Sequence, residues 1–383
     1  MNGKNKGLME LEDVTYGENE NHTRTQSKEP VLADLIIEIE QQILKYIELE
    51  DDSLATLLAL WVVQTYHIDA FGFCGFMNVR SASPRCGKSR LLEMLGCFTQ
   101  EVTVLQTMPS PAVLFRTPDQ CLFLDEVDGL RNADKERYGE VMSLLNVAFK
   151  RNSKVSRCEK SRKGWVVEKY NAYRAIALCG LNKLSDTLAD RSFHIQLKRT
   201  KKKMSRLNIG RLETEMAPLR NELSLWWASH YEQVKTVYEE LPDETRQLKK
   251  MDDRCQDISE PLLVLSGVAV QEKESLGKLI MRNFLKAMQL VSARRSPSRV
   301  EESLNAFLEL IEWKLNNQSE TFLSSHELVE LCQETEGLQW IKSPRFLSNF
   351  LKKFDLSPIN QNGKIRGYDF TREWVKEWRE RYA

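Results

Sequence analysis

At 383 residues, 42% of them hydrophobic, the chain is long enough for two or three domains around a sizeable core, which excludes a single small domain. Its 55 basic residues are matched by 55 acidic ones, so no overall field draws it to nucleic acid, and any attraction to phosphate must come from local clustering. The eight cysteines show no Cys-x-x-Cys spacing, which argues against structural zinc and suits a reducing cytoplasm, and no apolar run is long enough to span a bilayer.

Residues 1–30 are rich in Asn, Glu, Thr, Lys and Gly and are expected to form a disordered tail. The opening Met1-Asn2-Gly3-Lys4-Asn5-Lys6 runs into acidic and polar residues, not into an apolar signal core, so a cytoplasmic, membrane-free protein is expected. From 31 to 70, Leu32, Leu35, Ile36, Ile39, Ile43, Leu44 and Ile47 recur at helical spacing, and Leu54 to Tyr66 forms a second, more apolar helix. This pair is expected to pack on the segment that follows.

Between 71 and 200, short apolar runs alternate with helical patterns, the mark of an α/β fold with a largely parallel sheet covered by helices. Gly75 to Ser81 reads as a strand, and Arg90-Leu91-Leu92-Glu93-Met94-Leu95 as a helix. Between them lies Ala82-Ser83-Pro84-Arg85-Cys86-Gly87-Lys88-Ser89. A strand, a loop ending in Gly-Lys-Ser and a helix make a P-loop: backbone N–H groups cradle phosphates, the Lys88 ammonium reaches the far end of the tail, and the Ser89 hydroxyl ligates magnesium. Ser83, Pro84, Arg85, Cys86, Gly87 and Arg90 are the remaining phosphate-loop candidates. The pattern departs at its first position, where Ala82 stands in place of glycine.

Further on, Cys121-Leu122-Phe123-Leu124 reads as a strand buried on both faces and runs into Asp125-Glu126-Val127-Asp128. Adjacent carboxylates at the end of such a strand suit a Walker B pair, with Asp125 on magnesium and Glu126 as general base for the attacking water. A core strand with an acidic turn is the plainer alternative. Residues 150–170 are basic, and Glu159 to Gly164 reads as the tip of a hairpin that carries Lys160, Arg162 and Lys163, either as a phosphate grip or as a solvated loop. Ala175 to Gly180 is another strand and leads to Asn182, placed to bond a water near a γ-phosphate. Arg191 precedes the alternating Phe193 to Leu197 and suits a transferring phosphoryl group, with a helix-end salt bridge as its alternative.

Residues 201–316 are wholly helical in pattern and read as a helical lid, with Trp226 and Trp227 as packing residues. In 317–383, Ser324 and Glu327 have capping-box spacing, Ser343 to Phe354 forms a helix, and Asn362-Gly363 marks a hairpin apex. Helices followed by a small hairpin are compatible with a winged-helix-like domain that docks either DNA or protein.

The order of these parts resembles an AAA+ ATPase, and more specifically the ATPase module of unknown function found in plasmid- and phage-borne primase–helicase-like proteins. Residues 59–65, 83–89, 124–128, 186–192, Asp253-Arg254-Cys255-Gln256-Asp257 and Arg366-Gly367-Tyr368 carry the likeness, which extends over residues 35–382. It implies ATP and Mg2+ as cofactors, catalytic roles for Lys88, Asp125, Glu126, Asn182 and Arg191, and a nucleotide-sensing role for Arg254. It also implies a homo-oligomeric ring, a hexamer favoured, in which Arg191 completes a neighbour's site and the 150–170 hairpin grips single- or double-stranded DNA. The function so implied is an ATP-driven, helicase-like remodeller in replication or mobile-element biology, with a protein partner from that machinery. The alternative is a nucleotide-gated switch or loader that acts on a protein and never moves along DNA.

Overall fold

The computed structural model describes residues 29–106, 110–117, 121–128, 135–161, 164–181, 184–241, 248–249, 251–293, 299–317, 321–361 and 365–382. Helix α1 (Leu32–Tyr46) buries the apolar stripe Leu32, Leu35, Ile36, Ile39 and Ile43 against α2 (Ser53–Thr65). Helix α2 is buried at every position, because it is mostly apolar with only Ser53, Thr56, Gln64 and Thr65 polar, and is sandwiched between α1 and later helices.

The α/β part then runs β1 (Phe76–Ser81), α3 (Lys88–Phe98), β2 (Val102–Leu105), α4 (Pro111–Arg116), β3 (Cys121–Leu124), α5 (Lys135–Val147), β4 (Lys154–Ser161), β5 (Gly164–Asn171), β6 (Ala175–Gly180), α6 (Asp186–Ala189) and β7 (Ser192–Leu197). Five strands form one sheet in the order β2-β3-β6-β1-β7. Every neighbouring pair is parallel, so all five carboxyl ends share one edge. β3 and β6 are buried along their whole length, as their unbroken apolar runs predict. The chain leaves β1 for the far β2 edge, works back through β3 and β6, then steps over β1 to β7. This makes the carboxyl end of β1 a topological switch point, the place where open parallel sheets leave a crevice for ligands. Strands β4 and β5 pair only with each other, as an antiparallel hairpin.

Helices α7 (Ile209–Glu215), α8 (Ala217–Glu239), α9 (Asp253–Glu272) and α10 (Glu274–Ala293) share one hydrophobic core with α1, α2 and the sheet. α7 packs on α3, while α9 and α10 pack on each other and on α2. Glu272, the last residue of α9, ties this layer together: one carboxylate oxygen accepts the Leu32 N–H at 2.6 Å and the other the Trp226 indole N–H at 2.6 Å. Trp226 and Trp227 are both fully buried, as packing residues should be.

Helix α11 (Arg299–Asn317), although continuous in pattern with the preceding helices, contributes Leu304, Phe307, Leu308 and Ile311 to a second, separate core. There it joins β8 (Phe322–Ser324), α12 (Ser325–Glu334), α13 (Pro344–Leu351), β9 (Ile359–Gln361), β10 (Ile365–Asp369) and α14 (Arg372–Tyr382). The sheet order is β8-β10-β9, antiparallel throughout. Ser324 caps α12 by accepting the Glu327 N–H at 3.2 Å. Gly367 is required in β10, since a Cβ there would lie 2.3 Å from the Leu323 carbonyl oxygen and 2.4 Å from the Phe322 ring. Residues Asn362-Gly363, the expected hairpin apex, lie outside the described residues.

Candidate functional site

The loop after β1 is shaped by two left-handed residues, Arg85 (φ 64°) and Gly87 (φ 88°). Ala82 is not among them, so the alanine at the position where a P-loop has glycine carries no backbone strain. Gly87 is the N-cap of α3 and supplies no side chain to its first N–H groups, which leaves them for an external acceptor. A Cβ on Gly87 would meet only Ile47 Cδ1, at 3.8 Å, so the loop is open on that side.

Lys88, the first residue of α3, turns back across the loop and donates from Nζ to Ser81 Oγ at 2.8 Å. Ser81, the last residue of β1, donates in turn to the Ser83 carbonyl oxygen at 2.6 Å. Sequence pattern alone did not single out Ser81, since a hydroxyl at a strand end has no signature of its own. Ser89 and Arg90 are exposed on the first turn of α3, and Ser83, Pro84 and Arg85 line the rim. The Cys86 thiol is held below the ordinary range, first by its contact with the Ser83 hydroxyl and then by Ser81 and the charges of Lys88 and Arg199.

The carboxylates follow β3. Asp125, half-buried, donates its backbone N–H to the Leu105 carbonyl at 3.0 Å and accepts the Glu126 N–H on Oδ1 at 2.9 Å. Glu126 is exposed and left-handed at φ 53°, a conformation that non-glycine residues seldom adopt and that recurs at functional sites. Asp128 accepts the Leu181 N–H at 2.6 Å and so clips this turn to the end of β6. The approach is close enough to need Gly180, because a Cβ there would lie 2.9 Å from Val127 and 3.3 Å from the Asp128 carboxylate. Asp128 was visible in sequence as part of the acidic run but had no role assigned to it.

Cys179, paired with Val79 between these two segments, reports on both. Burial pushes its thiol pKa up, and the Asp125 carboxylate raises it further while the Lys88 ammonium opposes it. Lys88 follows β1 and Asp125 follows β3, so both come after strand ends on the carboxyl edge that β1, β3 and β6 share.

Arg191 and Arg254 lie elsewhere. The Arg191 carbonyl accepts the Phe76 N–H at 2.8 Å, which sets it at the amino edge of β1 and β7. The six-residue strand β1 separates that edge from Lys88 by roughly 17–20 Å. Arg254, the expected nucleotide sensor from the lid, stands at the start of α9. The adjacent turn of that helix, at Ile258, packs against Gly75 and the amino edge. Both guanidiniums lie 4.9 Å from the centroid of the Phe149 ring. Arg191 donates to the Thr187 carbonyl, its Nε has no hydrogen-bond partner among the described residues, and Arg254 pairs with Asp257 at 2.9 Å. Burial first, and the charge of Arg254 second, hold the Arg191 guanidinium below its ordinary pKa. Two like charges have been brought onto one ring at an edge away from the chain's own loop.

Lys160 is exposed near the end of β4, while Asn182, Arg162 and Lys163 lie outside the described residues. Among the described residues no group of three or more His, Cys, Asp and Glu side chains could hold a metal. No helix is long and apolar enough to cross a membrane, among the same residues. A separate groove of about 690 Å³ lies in the C-terminal unit, lined by His326, Arg345, Asn349, Lys352 and Arg366 among others.

No family model matches the chain, and no curated protein matches it. Among solved structures, the A form apo structure of the NrS-1 C-terminal region is 13% identical over 89% of this chain and 75% of that chain, with a TM-score of 0.40. A second A form apo structure of that region, covering its residues 305–718, is 10% identical over the same shares, with a TM-score of 0.34. At these scores the functional reading rests on the chain's own residues.

Proposed function

We propose that the chain is an ATP-binding and ATP-hydrolysing AAA+ protein that works on DNA as a helicase-like remodeller. What supports this reading is that Lys88 follows β1 and the Asp125–Glu126 pair follows β3, so that all three come after strand ends on the shared carboxyl edge of the parallel sheet, at its switch point.

The residues suit a magnesium triphosphate. Uncapped N–H groups at the start of α3, with the Lys88 ammonium beside them, offer donors for phosphate oxygens. The Ser89 hydroxyl and the Asp125 carboxylate are the oxygen ligands for magnesium, an ion that keeps few protein ligands and shares phosphate oxygens. When bound, that ion neutralises charge developing on the transferred phosphoryl group. Glu126, exposed beside Asp125, has the reach to orient and deprotonate the attacking water.

A ring of copies is supported by the arginine pair. Arg191 and Arg254, at the opposite edge from Lys88, are of no use to their own site and are suited to a phosphoryl group presented by a neighbouring copy. In this reading α7–α10 form the lid, though one that shares the sheet's core. The order α11-β8-α12-α13-β9-β10 acts as a winged-helix-like unit, with α13 presenting exposed Arg345 and Asn349. The protein works in the cytoplasm.

The test is steady-state ATP hydrolysis with and without single-stranded DNA. Lys88→Ala abolishes nucleotide binding and turnover, and Glu126→Gln abolishes turnover while retaining binding. Full turnover by both variants refutes the assignment. Hydrolysis indifferent to DNA replaces the remodeller with a nucleotide-gated switch acting on a protein.

A further inference from the structure

The C-terminal unit neutralises many of its cations with carboxylates of its own. Lys314 meets Glu327 at 3.2 Å, Arg379 meets Glu312 at 2.6 Å and Arg381 meets Glu377 at 2.6 Å. Arg345, Lys352 and Arg366 differ: all three are exposed, and among the described residues none of them has a carboxylate partner.

These three cations surround the groove of about 690 Å³. Arg345, Asn349 and Lys352, spaced i, i+4 and i+7, make one face of α13 its first wall. Arg366 and Tyr368, on one face of β10 by strand alternation, make the second, and the start of α12 closes the end. The Tyr368 hydroxyl is hydrogen-bonded to the Ser348 side chain, which ties the two walls together. Among the described residues no Asp or Glu lines the groove, while Pro344 and Ile365, the latter 51% exposed, give it apolar ground. Unopposed cations held around an apolar patch suit an anionic ligand that also carries apolar side chains.

The chain has such a segment outside the described residues, which begin at 29. Leu8-Met9-Glu10-Leu11-Glu12-Asp13-Val14-Thr15-Tyr16-Gly17-Glu18-Asn19-Glu20 holds five carboxylates and no Lys or Arg, in a chain whose acids and bases otherwise balance. Leu8, Leu11, Val14 and Tyr16 are interleaved with the acids. The stretch from Glu20 to Glu29 reaches about 30 Å when extended, more than the radius of gyration of about 21 Å for a compact chain of this length. The segment is therefore not confined to the surface around α1.

We propose that this groove holds residues 8–20 of the chain itself, with the Glu10, Glu12 and Asp13 carboxylates among Arg345, Lys352 and Arg366 and the apolar side chains on Pro344 and Ile365. Docked there, the segment covers the α13 residues that the unit offers to a partner and must leave before another polyanion reaches them. This goes beyond the nucleotide reading and needs no nucleotide. A DNA duplex is the less suitable occupant. A helix that enters a major groove about 12 Å wide must stand clear of its neighbours, whereas this face of α13 is one wall of a cleft.

The experiment is fluorescence anisotropy of a labelled synthetic peptide of residues 8–20, titrated with the full chain without nucleotide. In the wild type the tethered segment competes at an effective concentration of about 1 mM. For a segment affinity of about 0.1 mM, the peptide should then bind about tenfold more tightly to the chain carrying Glu10→Gln, Glu12→Gln and Asp13→Asn than to the wild type. In that triple variant, Arg345→Gln, Lys352→Gln and Arg366→Gln should each weaken peptide binding by about two- to fivefold, and added salt should do the same to the unsubstituted groove. The three groove side chains are exposed, so their replacement removes no core, and circular dichroism melts matching the wild type check this. Equal peptide binding by wild type and triple variant, binding indifferent to the three cations, or no binding by the triple variant overturns the proposal. So does a DNA duplex that binds through Arg345 and Arg366 with the same affinity in wild type and triple variant, which would assign the groove to DNA with no screening by the chain's own acids. Hydrolysis that survives Lys88→Ala would sink the nucleotide reading and leave this measurement untouched, so the two fail separately.

Discussion

Replacing Glu40 with glutamine should make the protein more stable at about pH 8 and change little at about pH 5. Glu40 is only 4% exposed, on the face of α1 that packs against α2. Burial pushes its carboxyl from an ordinary 4.5 up to about 7, and the Thr56 side chain of α2 pulls it back only part of the way. The folded pKa lies above the unfolded one, so the folded chain holds a proton that the unfolded chain has released. This group's cost is absent below about 4.5, grows as pH rises through the window from 4.5 to about 7, and is complete above it. A shift of that size costs the fold about 3 kcal/mol when fully expressed, and glutamine, neutral and of the same shape, does not pay it. Urea unfolding of wild type and Glu40→Gln at the two pH values gives a double difference in which other titrating groups cancel. A gain above the window that vanishes below it is the expected result. Equal effects at both pH values would show that Glu40 is ionised in the fold, or reaches water, and the reasoning would fail.

Three further outcomes are expected. N-ethylmaleimide at neutral pH should modify Cys86 ahead of the more exposed Cys158, because the lowered Cys86 pKa puts more of it in the thiolate form. ATP with magnesium should protect it, and Cys158 reacting first, by peptide mapping, would contradict this. Gly180→Ala should displace the 125–128 turn, since the added Cβ would lie 2.9 Å from Val127; turnover should fall by about tenfold or more with little change in nucleotide affinity, and an unchanged kcat would count against that turn as catalytic. Arg191→Ala and Arg254→Ala should each lose hydrolysis when assembled alone, and each should regain part of it when mixed with Lys88→Ala. Mixtures no more active than their parts would remove the neighbour-facing role of the pair.

Much of the fold was legible because it follows from local pattern. The stripe of α1, the more apolar α2, the buried runs of β3 and β6 and the alternation of β7 all appear where the residues imply them. β2 escaped notice: four residues at the sheet's outer edge, none fully buried, leave only a weak trace in sequence. Long-range grouping was equally hidden. Periodicity reports that α11 is amphipathic, not which core takes its apolar face, and so 201–316 reads as one helical stretch although α11 belongs with the C-terminal elements. The positions of Lys88, Asp125 and Glu126 were legible because each follows an apolar run that forms a strand, and the carboxyl ends of those strands lie at one edge. The place of Arg254 was not legible, because no local pattern says which end of the sheet a distant helix will reach. Ser81, Gly180 and Asp128 act through contacts that exist only once β1, β3 and β6 are side by side.

The most direct test of the central claim is electron microscopy of the protein with magnesium and a non-hydrolysable ATP analogue. The account predicts a triphosphate over the loop after β1, with the Lys88 ammonium moved from Ser81 onto a phosphate oxygen, and Ser89 and Asp125 flanking the metal. A nucleotide bound elsewhere, or Lys88 still held by Ser81 with Asp125 distant from the phosphates, would contradict it.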